Sequence, residues 1–190
     1  MLPLIKTSSR EHFYQELMTF ADGAVNCNWL AQMIASWQAG EGVLPDALGL
    51  NESQFFQLLA ERFPGYRLNP IAPSGKSIDF SRMLEKQDLE NLLRRFAAVQ
   101  NQEIEWLIAI IVAACLGNDH LWQDLGLWSR SELSSLLSHN FPKLAALNDG
   151  DMKWKKFLYK QLCEAEGLYV CRAPSCEVCK DYPLCFGEEI

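Results

Sequence analysis

Four cysteines near the C-terminal end of this chain have a spacing that could bind a metal. Cysteine occurs seven times among the 190 residues. The four clustered cysteines follow the pattern C-x4-C-x2-C-x5-C at Cys171, Cys176, Cys179 and Cys185. Because only two residues separate the central pair, both sulfurs can reach one metal ion or two corners of a small cluster. The spacing therefore predicts an iron–sulfur cluster or a zinc ion.

The intervals between these cysteines favour the cluster over zinc. Structural zinc sites usually join two C-x2-C pairs across a longer span, whereas this segment has one such pair flanked by intervals of four and five residues. Pro174 and Pro183 each lie two residues before a cysteine, where they stiffen the loop and remove backbone donors. Zinc stays open as an alternative, and so do redox-active or purely structural cysteines.

The overall charge argues against a nucleic-acid or membrane partner. Lys and Arg number 17 against 24 Asp and Glu, a formal net charge of −7, so the basic footprint of such binders is absent overall. The longest apolar run, 106–116, is well short of the roughly 20 residues of a membrane span. The first residues do not form a signal peptide. We therefore expect a cytoplasmic protein, in which clustered thiols favour metal binding over disulfides.

A helical body must position the cysteine segment. Apolar residues recur at three- and four-residue intervals, which predicts an all-α bundle with Asp88, Ser53 and either Ser129 or Ser131 at helix starts. The predicted helices cover 11–21, 28–38, 53–62, 86–99, 103–116, 131–138 and 152–165. We assign 1–166 to this helical domain and 167–190 to an irregular, cysteine-rich segment that binds the cluster.

The helical body also contains an internal similarity at an offset of 77 residues. Two Trp-Leu pairs, two Leu-Gly-Leu turns and, after one inserted residue, two Phe-Pro stops match each other. They are Trp29-Leu30 and Trp106-Leu107, Leu48-Gly49-Leu50 and Leu125-Gly126-Leu127, and Phe63-Pro64 and Phe141-Pro142. We predict that 29–64 and 106–142 are two related helical hairpins packed together, although amphipathic hairpins can also match by chance.

Several blocks resemble the NifQ family of nitrogen-fixation proteins. They are the 151–167 segment with its Met-Lys-Trp-Lys-Lys-Phe block, the cysteine pattern ending in Cys185-Phe186-Gly187, the 120–127 segment and Asn140-Phe141-Pro142. The resemblance covers about 103–188 well and the N-terminal half loosely. It implies a molybdenum-containing iron–sulfur protein that donates molybdenum for the iron–molybdenum cofactor of nitrogenase. Molybdate, the cofactor assembly scaffold and the nitrogenase iron protein are its implied partners, and it is a metal donor rather than a catalyst.

The role that the resemblance implies requires the cysteines to bind an iron–sulfur cluster that can accept molybdenum. Molybdenum must leave an oxyanion and enter a sulfur environment, and an iron–sulfur cluster of the 3Fe-4S type held by three thiolates has an open corner for it. A 4Fe-4S cluster is the other form considered. Cys176 and Cys179 would supply the central pair of ligands, while Cys171 and Cys185 complete the set. One of these outer two would be displaceable.

Two further residues are candidates for the same site. Cys163 lies at the end of the helix that leads into the cysteine segment, so it is either an additional ligand or a small apolar core residue. His120 follows the break at 117–119, where an imidazole could bind metal or donate to molybdate, or could simply be exposed or capping. Cys27 and Cys115 are predicted to be core residues.

The chain has one concentration of lysines. Lys153, Lys156 and Lys160 share a helix face at spacings of three and four residues, opposite an apolar face. Such a face is either simply solvated or attracts molybdate or an anionic partner surface. The apolar face consists of Trp154, Phe157, Leu158 and Leu162.

Two other classes of protein compete with the carrier hypothesis. An iron–sulfur DNA-repair glycosylase has a related cysteine loop on a helical body, but the net charge of −7 opposes DNA affinity and no catalytic Lys/Asp constellation is evident. A zinc-stabilised helical interaction module would use the cysteine segment as a structural clasp. An electron-transfer ferredoxin would ordinarily have a far smaller helical body.

Overall fold

The described part of the chain is helical throughout its regular structure. The computed structural model describes residues 9–68, 85–165 and 182–186. These ranges contain a 3₁₀ turn at Asp46–Gly49 and α-helices α1 (Ser9–Thr19), α2 (Cys27–Gln38), α3 (Glu52–Arg62), α4 (Lys86–Phe96), α5 (Gln102–Cys115), α6 (Leu121–Asp124), α7 (Arg130–Asn140), α8 (Pro142–Ala146), α9 (Trp154–Ala165) and α10 (Tyr182–Phe186). The prediction of an all-α protein is confirmed for these residues.

Side-chain caps decide where two of the helices begin. The Asn51 Oδ1 atom accepts a hydrogen bond from the Gln54 backbone N–H at 2.9 Å, and the Gln54 side chain accepts one from the Asn51 N–H at 3.2 Å. This capping box starts α3 before Ser53, the predicted first residue. The Ser129 Oγ accepts from the Glu132 N–H at 3.2 Å and starts α7, as predicted. Asp88 lies inside the first turn of α4 and does not begin it.

Helices α2 and α5 form the centre of the core. Ten of the twelve residues of α2 and ten of the fourteen residues of α5 are buried. Helices with so little exposed surface need apolar residues around most of their circumference, which explains the composition of both segments. Helix α1 covers α2, while α4 packs against α5, α8 and α9. Each fully buried Leu or Ile side chain in this core contributes about 1.5–3 kcal/mol.

The chain contains two stretches with the same order of elements, which we name the first half (26–63) and the second half (103–141). In the first half α2 leads through the 3₁₀ turn to α3, and in the second half α5 leads through α6 to α7. Both second helices end at a buried phenylalanine with nearly the same backbone angles, φ −134° at Phe63 and φ −133° at Phe141. Pro142 does not begin a loop, as the predicted Phe-Pro stop implied, but opens α8, because proline is well suited to a first helical position.

Each half places a glycine of its Leu-Gly-Leu turn against the first helix of the other half. A Cβ atom on Gly49 would lie 2.7 Å from the Cβ of Ala113, and one on Gly126 would lie 2.7 Å from the Cβ of Ser36. Both glycines have positive φ, +86° and +73°. The close approach and the left-handed backbone both require glycine at these positions.

The ends of the two halves make a second pair of exchanged contacts. Arg62, the last residue of α3, bonds the Glu103 carboxylate at the start of α5 at 3.0 Å. Asn140, the last residue of α7, exchanges two amide hydrogen bonds of 3.1 and 2.8 Å with Asn26, which precedes α2. These contacts join the halves symmetrically in sequence position. The related-hairpin arrangement of 29–64 and 106–142 stays a prediction.

Candidate functional site

Only one cysteine of the predicted ligand set lies in the described residues. Cys185 lies on α10 and is half-buried, whereas Cys171, Cys176 and Cys179 lie outside the described residues. Within the described ranges, no group of three or more His, Cys, Asp or Glu side chains is arranged to hold a metal ion. The four-cysteine site therefore stays a prediction, and Cys185 shows where that segment contacts the helical body.

The helical body holds Cys185 through its own residues. The Lys153 backbone N–H donates a hydrogen bond to the Cys185 carbonyl at 2.8 Å. The Lys156 ammonium nitrogen lies 3.8 Å from the Cys185 sulfur. The next residue, Phe186, packs against the hydrophobic core near Gly150, where an added Cβ would approach the ring to 3.3 Å. Cys185 is thus positioned by the folded body.

The turn that leads into α9 is itself fixed by side chains. The Asn148 side chain donates to the Met152 carbonyl and accepts from the Met152 N–H, both at 2.9 Å. Arg130 on α7 bonds the carboxylate of Asp151 at 2.9 and 3.0 Å and the Asp151 carbonyl at 2.8 Å. Asp151 has φ +52°, so these bonds stabilise a backbone conformation that is unfavourable for a residue with a side chain. They fix the turn just before Lys153, whose backbone N–H bonds the Cys185 carbonyl of α10.

A cavity of about 410 Å³ lies between the first turn of α9, the turn before α6, and α10. Its lining includes Asp119, His120, Lys153, Lys155, Lys156 and, from α10, Leu184. The structure therefore brings together three of the predicted candidates, His120, Lys153 and Lys156, beside the helix that carries Cys185. His120 lies at the start of α6, as predicted, where its backbone N–H donates to the Gln123 side chain at 3.2 Å.

The two other candidates on α9 are not part of the cavity lining. Lys160 lies one turn beyond Lys156 and pairs with Glu164 at 3.6 Å. Cys163 is half-buried still further along the helix. The predicted apolar face of α9 is confirmed. Its members are buried, and they are Trp154, Phe157, Leu158 and Leu162.

A third lysine of the cavity, Lys155, belongs to the same concentration of lysines but was not predicted from the sequence to be a site residue. Its ammonium donates to the carbonyls of Gly117 and Asp119 at 2.9 and 2.8 Å, and it forms an ion pair with Asp124. The side chain of Asp124 is only 1% exposed. A sequence signal did exist, because an aspartate inside the apolar stretch 121–127 must be paired if it is buried.

The buried ion pair also explains the break before α6. A Cβ on Gly117 would clash with the carboxyl group of Asp124, so no larger residue fits beneath this carboxylate. Burial raises the pKa of Asp124, and the Lys155 ammonium opposes part of that rise. Since Lys155 also holds two carbonyls of the same turn, the ion pair joins the turn to α9.

Two of the remaining cysteines behave as the core residues that the sequence predicts. Burial raises the pKa of Cys115, at the end of α5, to about 12. Burial and the Asp22 carboxylate, which accepts a hydrogen bond from the thiol at 3.0 Å, raise the pKa of Cys27 to about 11. Both thiols are therefore neutral at physiological pH, and a neutral buried thiol is a poor metal ligand or nucleophile.

The cavity is positively charged within an acidic protein. The charge of Lys155 is compensated by Asp124 beneath it. Lys153 and Lys156 are two further lysines of the lining, which also contains Asp119. Lys155 and Lys156 belong to the first turn of α9, where the positive end of the helix dipole also favours an anion. The site can therefore attract a small anion close to the Cys185 thiol.

In its described residues the protein is an all-α protein in which α10, the helix that carries Cys185, lies beside a lysine-lined cavity. The family model described as NifQ matches residues 29–187. The chain belongs to the NifQ family. The match includes more of the N-terminal half than the sequence resemblance indicated.

Relatives from several organisms are similar over most of the chain. The NifQ protein of Azotobacter vinelandii is 43% identical over 172 residues, which cover 85% of this chain and 88% of the relative. The NifQ homolog of Sinorhizobium fredii is 37% identical, covering 83% and 68%, and the NifQ protein of Klebsiella pneumoniae is 34% identical, covering 84% and 97%. No solved structure matches this chain. None of the described helices is long and apolar enough to cross a membrane.

Proposed function

We propose that this NifQ-family protein is a molybdenum-processing iron–sulfur carrier that donates molybdenum for biosynthesis of the nitrogenase iron–molybdenum cofactor. The observation that carries the proposal is the position of Cys185 next to the cationic cavity, with Lys156 both lining the cavity and lying 3.8 Å from the Cys185 sulfur. A protein that moves molybdenum from oxygen to sulfur ligands needs positive charge for the oxyanion and thiolates for the metal. The contact between Lys156 and Cys185, the one described cysteine of the set, supports the proposal.

The proposed ligands of the iron–sulfur cluster are Cys171, Cys176, Cys179 and Cys185. The described member of this set fits the role, because Cys185 is half-buried, held by backbone contacts, and close to a cation that offsets thiolate charge. Bound there, a 3Fe-4S or 4Fe-4S cluster would supply sulfide and an exchangeable metal position. The helical body would orient one ligand of the set and keep a cationic cavity beside it.

The proposal also includes the organisation of the chain and its partners. The helical domain 1–166, with its related hairpins 29–64 and 106–142, serves as the scaffold, and 167–190 is the cluster-binding segment. The exchanged contacts between the two halves support this view of the scaffold. Molybdate, the cofactor assembly scaffold and the nitrogenase iron protein are the proposed partners, and the product of the protein's action is a delivered metal.

Anaerobic purification followed by metal analysis, sulfide analysis and EPR tests this function. We expect iron, acid-labile sulfide and molybdenum together. Cys176→Ser should abolish cluster binding, because it removes one thiolate of the central C-x2-C pair. Cys27→Ser is the matched control, since Cys27 is a buried core thiol and its replacement should leave the metal content unchanged.

Two results would contradict the proposal. Zinc alone, with no visible absorption, would favour a structural clasp instead of a carrier. A full iron and sulfide content in the Cys176→Ser protein would show that the tail cysteines do not form the cluster site.

A further inference from the structure

Helix α10 contacts the body at the turn 148–153, which we name the docking turn. We infer that Arg130 and Asp151 are positioning residues for Cys185, because they fix the docking turn and thereby hold this cysteine in place before a metal binds. The inference rests on the proposed function in one respect, since that function makes Cys185 a ligand of the cluster. The contacts that hold α10 involve protein atoms alone, so they do not require a bound metal.

Two contacts join α10 to the docking turn, and they lie on either side of Asp151. Before it, Gly150 lies against the Phe186 ring, which an added Cβ would approach to 3.3 Å. After it, the Lys153 backbone N–H donates a hydrogen bond to the Cys185 carbonyl at 2.8 Å. Because the two contacts are only three residues apart, the backbone angles of Asp151 decide whether both can form at once.

Asp151 has a backbone conformation that needs support from its surroundings. Its φ of +52° is left-handed, which is unfavourable for residues with a side chain, although Asp and Asn adopt it more readily than most. Within the turn, the Asp151 N–H donates to the Asn148 carbonyl at 3.1 Å, and the Asn148 side chain bonds both backbone groups of Met152 at 2.9 Å. These bonds close the turn on itself, but they do not connect it to another helix.

Arg130, the first residue of α7, makes that connection. Its guanidinium donates to the two carboxylate oxygens of Asp151 at 2.9 and 3.0 Å, to the Asp151 carbonyl at 2.8 Å and to the Met152 carbonyl at 3.4 Å. The fixed fork of an arginine suits such a set of oxygens. The Asp151 side chain is 73% exposed, so the ion pair adds little to global stability. Its main effect is therefore local, on the direction of the N–H that holds Cys185.

Helix α9 has its own contact with α7 and does not depend on Arg130 for its packing. The Trp154 indole N–H donates to the Ser134 hydroxyl at 3.0 Å, and Trp154 and Phe157 are buried. Cys163 lies ten residues beyond Lys153 on the same helix and, like Cys185, is half-buried. Cys163 is therefore an internal reference, because general loosening of the body would expose both thiols.

Alkylation of the full-length, metal-free chain, with peptide mass spectrometry to follow each thiol, tests the inference. Arg130→Gln is expected to speed alkylation of Cys185 about fivefold or more, because charge-assisted bonds to the turn are lost. Cys163 should change by less than about twofold, since an exposed ion pair contributes little to global stability. Equal acceleration of both thiols, or an unchanged rate at Cys185, would overturn the inference.

A matched control removes an arginine–carboxylate pair outside the docking turn. Arg94 on α4 bonds both carboxylate oxygens of Glu105 at 2.8 and 2.7 Å. Arg94→Gln should therefore alter the alkylation of Cys185 by less than about twofold, as expected for a partly exposed pair. An acceleration equal to that of Arg130→Gln would show that the effect is not specific to the docking turn, and would overturn the inference.

The two positioning residues should act as one unit. Asp151→Asn should speed alkylation of Cys185 less than Arg130→Gln does, because asparagine also adopts the left-handed conformation and Arg130 keeps its bonds to the two carbonyls. Adding Asp151→Asn to Arg130→Gln should cause little further acceleration, since residues in one network are not additive. Effects that multiply in the double variant would show that the two residues act separately and would contradict the inference.

A measurement on the metal-loaded protein connects the docking turn to the cluster. Arg130→Gln should lose iron to a chelator severalfold faster than wild type, because one thiolate ligand is held less firmly. Unchanged iron loss would overturn the role of the two residues in holding a cluster ligand. If the chain forms no cluster, the carrier proposal fails, while the alkylation of the metal-free chain still tests the docking turn. If the cluster forms but Arg130→Gln leaves alkylation of Cys185 unchanged, this inference fails and the carrier proposal stands.

Discussion

The two halves of the body solve the same connection in different ways. In the first half the chain turns between α2 and α3 through two residues with left-handed backbone angles. They are Ala47 and Leu48 of the 3₁₀ turn, with φ +59° and +58°. In the second half the connection between α5 and α7 contains a buried carboxylate, that of Asp124, which forms an ion pair with Lys155. In the 77-residue alignment, Ala47 is the counterpart of Asp124.

The difference between the two connections shows why the cationic cavity lies beside the second half and not beside the first. A buried aspartate is tolerable only when another element supplies its cation. Helix α9 supplies Lys155 to the second half, and the first half has the uncharged Ala47 at the corresponding position. The cationic cavity therefore depends on the packing of α9 and α10 beside the second half, and the hairpin alone would not create it.

The largest expected effect comes from removing the cation that pairs with Asp124 in the second half. Lys155→Met should lower the free energy of unfolding by about 3–5 kcal/mol, because it leaves the Asp124 carboxylate buried and unpaired. Urea unfolding measures the loss. Lys160→Met, a substitution of an exposed lysine on the same helix, should cost less than about 0.5 kcal/mol. Similar losses in both variants would show that the ion pair does not hold the turn.

The same variant has an expected pH dependence. Burial already raises the pKa of Asp124, and without Lys155 only the hydrogen bond from the Asp119 backbone opposes that rise. A carboxyl with a raised folded-state pKa costs no stability below its unfolded pKa of about 4, and destabilises the fold as the pH rises above it. The deficit of the Lys155→Met protein relative to wild type should therefore shrink as the pH falls from 7 to 4. A constant deficit would contradict this assignment.

The two glycine contacts between the halves are equivalent, so we expect substitution of either glycine to destabilise the protein by a similar amount. Gly49→Ala and Gly126→Ala should each cost about 2–3 kcal/mol, because each adds a Cβ at 2.7 Å from the other half and forces a left-handed alanine. Gly40→Ala is the control. It has φ +77°, but its added Cβ meets no atom within 4 Å, so only the backbone cost of about 1–2 kcal/mol applies. Unequal losses at 49 and 126 would show that the two contacts are not equivalent.

The contacts at the ends of the halves should show the smallest effects and a clear order. Asn140→Ala leaves the buried Asn26 amide without its partner, so we expect a loss of about 1–3 kcal/mol. Glu103→Gln at the corresponding junction should cost about 1 kcal/mol or less, because Arg62 keeps Asp22 as a second partner. Thermal unfolding of both variants measures which loses more stability. A larger loss in Glu103→Gln would contradict the view that the Asn26–Asn140 contact is the more important junction.

Much of the fold was readable from local patterns, and the exceptions have physical causes. The apolar periodicity predicted α2, α5 and α9 to within a few residues, since amphipathic and buried helices depend on spacing alone. The start of α3 was wrong by one residue, because nearby polar residues compete as caps and Asn51 forms the box. The predicted range gave the first residue of α4 correctly, but Asp88 does not open this helix, which ends at Phe96 rather than at 99. Helix α8 was missed, since the same Phe-Pro pair ends a helix at Phe63 and joins two helices at Phe141.

The candidate site likewise contains residues that local patterns identified and contacts that they did not. His120, Lys153 and Lys156 were identified by residue type and position, and the structure places them around one cavity. Lys155 and Asp124 were not paired, because they are distant in sequence and the pattern of α9 shows Lys155 as one lysine among several. Lys160 was grouped with Lys153 and Lys156 by helical spacing, but it lies one turn beyond the cavity lining.

By itself the sequence determined the helical class, the family and the four cysteines that define the candidate cluster segment, because periodicity, similarity and short spacing are local properties of the chain. Only the tertiary structure decided that Cys185 lies beside a cationic cavity and that Lys155 serves the fold while Lys153 and Lys156 line the space with it. The physical reason is that charge pairing and cavity formation depend on which helices pack together. Residues 29 or more positions apart along the chain make these contacts, and no local pattern records them.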